Sequence, residues 1–105
     1  MNNEYNLILA LLLINKGAPI NNSYKLTRAL EWQFHIINSK EILDDVKKGG
    51  FAIYYTLKGI HYYKLTESGR QLIEQKYDSA LKFLCQKYPS EINMIDSLFK
   101  SFHLQ

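Results

Sequence analysis

One cysteine, Cys85, in 105 residues leaves nothing to build a disulfide framework or a cysteine cluster for zinc, so the chain carries no mark of an oxidising compartment. Histidine is nearly as scarce. His35, His61 and His103 fall in different stretches with no second ligand three or four positions away, the spacing a helical metal site would use. Two prolines and five glycines form no linker, and the chain reads as one domain, residues 1–105. The longest apolar run, Leu7 to Ile14, is too short to cross a bilayer. No basic stretch precedes it and no small-residue cleavage site follows it. The expectation is a cytoplasmic protein without a membrane partner. No nucleophile elbow, phosphate loop or paired carboxylate at a strand end is present, so the sequence predicts no enzyme, no cofactor and no metal.

What is there is apolar. At 47% hydrophobic residues and a net charge of +3, disorder is excluded, and a chain of this size buries roughly 65% of its unfolded surface. A pI near 8.9 permits a polyanionic partner without requiring one.

Asn2 or Asn3 can cap a first helix over about Glu4 to Asn15, stopped by Lys16-Gly17-Ala18-Pro19. Its apolar residues, Leu7 to Leu9 and Leu11 to Ile14, cover more than one face, whereas a surface helix needs a single stripe. A second helix runs near Ser23 to Trp32 after an Asn21 or Asn22 cap, with Leu26, Ala29 and Leu30 inward. Asn38 then caps a third, with Glu41 three positions on and Ile37 placed for a hydrophobic staple. This third helix points Ile42, Leu43 and Val46 inward and ends at Gly49-Gly50.

Phe51 to Thr66 is the only strand signal, broken once at Lys58-Gly59. A two-residue turn there pairs Tyr54 with Tyr63 and gathers Phe51, Ile53, Tyr55, Leu57, Ile60 and Tyr62 on the face opposite Tyr63 and Leu65. A three-residue loop, Leu57-Lys58-Gly59, instead puts Phe51, Ile53, Tyr55, His61, Tyr63 and Leu65 on one buried face. The second register is preferred because it gives one coherent buried face and turns Ala52, Tyr54, Thr56, Ile60, Tyr62 and Lys64 outward. Thr66 caps a long fourth helix, with Leu72, Ile73, Tyr77, Leu81, Leu84, Cys85 and Tyr88 at helical spacing until Pro89. Ser90 caps a fifth, striped by Ile92, Ile95, Leu98, Phe99 and Phe102. The expected fold is mostly α with a small β-hairpin (α+β), in the order ααα-ββ-αα.

The stretch Tyr62-Tyr63-Lys64-Leu65-Thr66-Glu67-Ser68-Gly69-Arg70 resembles the Tyr-x-Leu-Thr-x-x-Gly-Arg junction between wing and last helix in bacterial winged helix-turn-helix transcription regulators, the PadR type first and the MarR type second. Tyr63 and Leu65 point inward, Thr66 caps, and Gly69 lets the helix start pack close. Ser23-Tyr24-Lys25-Leu26-Thr27-Arg28-Ala29-Leu30 is similar to the second helix of the PadR type, and Leu43 and Val46 before Gly50-Phe51 to the end of its third. The likeness covers about Asn22 to Glu74. Unlike the PadR type, this hairpin has no Arg and offers only Lys58 at its tip.

The resemblance implies a winged-helix domain, residues 1–66 holding three helices and the wing and residues 67–105 the C-terminal helices. It also implies a DNA-binding transcription regulator, with the third helix in the major groove of double-stranded DNA. The residues expected at DNA are Lys25, Arg28, Ser39, Lys40, Asp44, Lys47, Lys48 and Lys58. The third helix carries acids beside its lysines, and the positive excess lies in residues 51–70, where Lys58, Lys64 and Arg70 face Glu67 alone. An acidic side chain can accept from cytosine but opposes attraction to phosphate.

Helix one needs a cover on its second face, which helices four and five supply either within the chain or across a two-fold axis. In the second case Leu9, Leu12, Leu13, Leu98, Phe99 and Phe102 form a homodimer interface, as the resemblance implies. The rival expectation is a winged-helix interaction module that binds protein through outward Tyr54, Ile60 and Tyr62, without nucleic acid. His61 and Cys85 read as packed core residues.

Overall fold

A computed structural model describes residues 2–103. Its elements are α1 (Asn2–Asn15), α2 (Ser23–Arg28) continued by a π turn (Ala29–Gln33), α3 (Ser39–Lys48), β1 (Ala52–Leu57), β2 (Ile60–Leu65), α4 (Glu67–Gln75), α5 (Tyr77–Lys87), a 3-10 turn (Pro89–Glu91) and α6 (Ile92–His103). The architecture is mostly helical with one antiparallel hairpin, as the α+β reading expected. None of these helices is long and apolar enough to cross a membrane.

Helix α1 is the axis of the core. Ile8, Leu9, Leu11, Leu12 and Leu13 are fully buried, and Ile14 nearly so, because α2, α3, α4, α5, α6 and β2 all pack against it. An apolar surface on every side is what a helix surrounded by other elements requires, and each such side chain contributes roughly 1.5–3 kcal/mol of transfer free energy. The six residues expected to meet a second copy, Leu9, Leu12, Leu13, Leu98, Phe99 and Phe102, are buried inside one chain. The C-terminal helices supply the cover intramolecularly.

Local chemistry fixes the helix starts unevenly. Asn22 caps α2 as expected, its Oδ1 accepting from the N–H groups of Tyr24 (2.8 Å) and Lys25 (3.1 Å). At α3 the expected capping box and staple are not made. Asn38 makes no side-chain cap bond and donates to Asn3 instead, while Ile37 is 98% exposed. The expected single fourth helix is two, because the chain leaves helical geometry at Lys76 (φ −111°, ψ 16°). That break lets the Tyr77 hydroxyl reach the Phe99 carbonyl of α6 at 3.0 Å. Ser90 lies in the 3-10 turn rather than capping α6, so the observed order is ααα-ββ-ααα.

The hairpin corrects the preferred register. Tyr54 pairs with Tyr63 and Leu57 with Ile60 across a two-residue turn, whose Lys58 (φ 53°) and Gly59 (φ 80°) are both left-handed, as a type I′ turn demands. Ala52 and Tyr63 therefore face the core, and His61 is exposed, its ring stacked on Tyr54. The opposite face carries Ile53, Tyr55, Leu57 and Ile60, all exposed, beside half-buried Tyr62. Tyr54, expected to share a face with Ile60 and Tyr62, lies on the other.

The α1–α2 connection holds this register from the outer edge of β2. Asn22 bridges Tyr62, the Tyr63 N–H donates to the Asn21 carbonyl at 2.9 Å, and the Asn21 side chain donates to the Tyr63 carbonyl at 3.0 Å. At the base, Thr66 caps α4 by accepting from the Gly69 N–H at 3.2 Å, and its hydroxyl donates to the Gly50 carbonyl at 2.6 Å. Gly69 sits against the residue preceding β1 so closely that a Cβ there would overlap the Phe51 carbonyl.

Candidate nucleic-acid interface

Helix α2, helix α3 and the hairpin converge on a cavity of about 370 Å³. Residues four apart lie one above the other on a helix, so Ser23, Thr27 and Glu31 line it from α2 and the π turn, and Ser39, Lys40, Leu43, Asp44 and Lys47 from α3. Tyr54 and Tyr63 close the hairpin side. Burial, then the neighbouring Tyr54, push the Tyr63 phenol above its ordinary pKa, so it stands there as a neutral hydroxyl.

The site residues expected from sequence divide into three sets. Lys40, Asp44 and Lys47 form one solvent-facing stripe of α3 along the cavity. Lys47 is held between Asp44 (3.8 Å) and the Tyr54 ring (4.9 Å to its centroid), so its charge is partly offset. Ser39 is buried and donates to Glu31 at 2.5 Å. It fixes the first turn of α3 against the π turn and presents no hydroxyl to solvent. Lys25, Arg28, Lys48 and Lys58 are exposed outside the cavity lining. Among the described residues Lys25, Arg28, Lys40, Lys48 and Lys58 make no ion pair.

Sequence reasoning missed the partners of Arg28. Its guanidinium lies 4.0 Å from the centroid of the Trp32 ring and 5.4 Å from that of Tyr24, and Nη1 donates to the Tyr24 hydroxyl at 2.6 Å. The spacing Tyr24, Arg28, Trp32 at four-residue intervals was the available signal, since it stacks three side chains on one helical face.

Among the described residues no three of His, Cys, Asp and Glu come together to hold a metal ion, and burial raises the Cys85 thiol above its ordinary pKa, which lowers its nucleophilicity at neutral pH. No family model, curated protein or solved structure matches this chain.

Proposed function

We propose that the chain is a sequence-specific DNA-binding transcription regulator of winged-helix build that acts as a homodimer, with α3 in the major groove of double-stranded DNA. The observation that carries the reading is the convergence of α2, the exposed stripe of α3 and the hairpin on one cavity, with Lys25, Arg28, Lys40 and Lys58 exposed on those elements and the hairpin turn and in no ion pair among the described residues. Lys40 and Asp44 face base edges, whereas Lys25, Arg28, Lys47 and Lys58 hold phosphates. The α1–α2 connection, bridged to β2, ties the hairpin to the helices that present this face.

Binding of a labelled random-sequence duplex at 50 and 200 mM salt tests it. Four phosphate contacts per protomer, eight in the dimer, give a slope of about −7.2 in log affinity against log salt, or roughly a 2 × 10⁴-fold loss over that range. Binding that is absent at 50 mM salt, or independent of salt, refutes the reading.

A second reading, a protein-interaction module without nucleic acid, is favoured by the outer hairpin face. Ile53, Tyr55, Leu57 and Ile60 make a contiguous exposed patch of the kind that marks interaction sites. With the residues first expected at a dimer interface buried in the core, this is also the face open to a second copy. Sedimentation of the wild type and of Ile53→Lys separates the uses. A dimer lost in the variant supports self-association through the hairpin, and a monomeric wild type that ignores DNA supports the second reading.

A further inference from the structure

The surface of α2 outside the cavity lining differs in charge from α3. Its exposed residues are Tyr24, Lys25, Arg28 and Trp32, and neither cation makes an ion pair among the described residues. Glu31, the one acid in this stretch, lines the cavity with its carboxylate on the Ser39 hydroxyl. On α3, by contrast, Lys47 is set against Asp44. Lys25 and Arg28 outnumber Glu31 along α2 and its π turn, whereas the three lysines of α3 meet three acids, Glu41, Asp44 and Asp45, so of these two helices α2 carries the net positive surface.

Arg28 is also held in place there. An exposed arginine ordinarily samples many rotamers, and ordering it costs binding free energy. Here one nitrogen is hydrogen-bonded to the Tyr24 hydroxyl and the guanidinium is stacked on Trp32, leaving the other N–H donors of a planar fork free to meet paired oxygens. Tyr24 and Trp32 remain 65% and 68% exposed, so they flank the cation without covering it. Two exposed aromatic rings around an arginine bury little apolar surface, and core packing does not account for them.

We propose that Tyr24 and Trp32 are positioning residues that hold Arg28 as a preset clamp for a backbone phosphate of duplex DNA. The occupant follows from charge, because Lys25 and Arg28 are exposed and in no ion pair among the described residues, and Glu31, the one acid beside them, has its carboxylate bonded to the Ser39 hydroxyl. The hairpin tip belongs to the same rim, Tyr24, Gly59 and Ile60 sharing a shallow cavity of about 510 Å³. This inference rests on the DNA reading above.

The test compares Arg28→Ala, Trp32→Leu, Trp32→Phe and Tyr24→Phe for binding to one labelled duplex across a salt series, read by anisotropy of the DNA. Arg28→Ala removes one phosphate contact from each protomer and should make the salt slope of the dimer shallower by about 1.8. Trp32→Leu keeps the charge, so the slope should stay at the wild-type value while affinity falls about three- to tenfold from the lost ordering of Arg28. Trp32→Phe, which keeps a ring face, should recover most of that loss, and Tyr24→Phe should show a smaller one. Trp32 is the only tryptophan, so wild-type fluorescence should change on DNA addition and change less in Arg28→Ala. Wild-type binding with Trp32→Leu and Tyr24→Phe both unaltered overturns the clamp alone. Failure of the wild type to bind at 50 mM salt overturns the DNA reading and the clamp with it.

Discussion

Replacing Gly69 by alanine tests how α4 is seated on the hairpin. The added methyl would overlap the Phe51 carbonyl and lie 2.8 Å from Leu65 Cδ1, and a backbone oxygen cannot rotate aside. The first turn of α4 must back away, straining the two bonds that anchor it, Thr66 N–H to the Phe51 carbonyl (3.1 Å) and Gly69 N–H to the Thr66 hydroxyl (3.2 Å). Overpacking costs about 1–3 kcal/mol, and loss of the cap about 0.5–2 kcal/mol more. Alanine's better helix propensity returns about 1 kcal/mol. The net expectation is a loss of about 2 kcal/mol, read in urea titrations as a midpoint lowered by about 1–2 M at unchanged slope. Ser68→Ala, at the exposed neighbouring position, is the control and should stay within about 0.5 kcal/mol of wild type. A Gly69→Ala midpoint at or above the wild-type value would refute the close seat, because propensity alone raises it.

Two further outcomes concern the hairpin and the phenols. Lys58→Asn places a residue that tolerates left-handed backbone at the first turn position and should stabilise the free protein by about 0.5 kcal/mol, a rise of a few degrees in Tm; an unchanged or lower Tm would argue against the type I′ turn. Burial raises the pKa values of Tyr63 and Tyr88 above their ordinary 10.0 and that of Cys85 above 9.0. The unfolded chain therefore loses these protons first, and stability should hold through neutral pH, then fall from about pH 9 and more steeply above pH 10. Urea titrations of a Tyr63→Phe, Tyr88→Phe variant should show a shallower alkaline fall, and a fall parallel to wild type would rule these phenols out as its source.

The helices and the seat of α4 were legible because their signals are local. Asn22 and Thr66 cap with their own side chains, and Gly69 marks a close approach within a few residues of its cap. The register was not legible, because both loops put Gly59 where left-handed backbone is needed and burial then favoured the greasier face. The choice was made by contacts distant in sequence. Asn21 clamps the Tyr63 backbone, and Ala52 and Tyr63 fill the core side of the hairpin while Ile53, Tyr55, Leu57 and Ile60 stay outside. The break at Lys76 had no Gly or Pro to announce it, and what goes with it, the Tyr77 bond to α6, is distant in sequence. At the candidate site the charged positions of α3 were readable from periodicity, but the Tyr54 ring beside Lys47 and the Glu31 bond to buried Ser39 depended on partners in other elements.

Helix α1 has a bearing on how the chain reaches this state. A helix enclosed by α2 through α6 and β2 has no face on which it can rest until those elements exist. Its last partners lie far along the chain, the Tyr88 hydroxyl donating to Asn6 across 82 positions. During synthesis Leu7 to Ile14 emerges before these partners and must wait, apolar and uncovered, until α6 has followed it. The segment that ends as the best-protected part of the molecule is thus its most aggregation-prone part at birth, and removing α6 should leave a chain that needs a chaperone to remain dispersed.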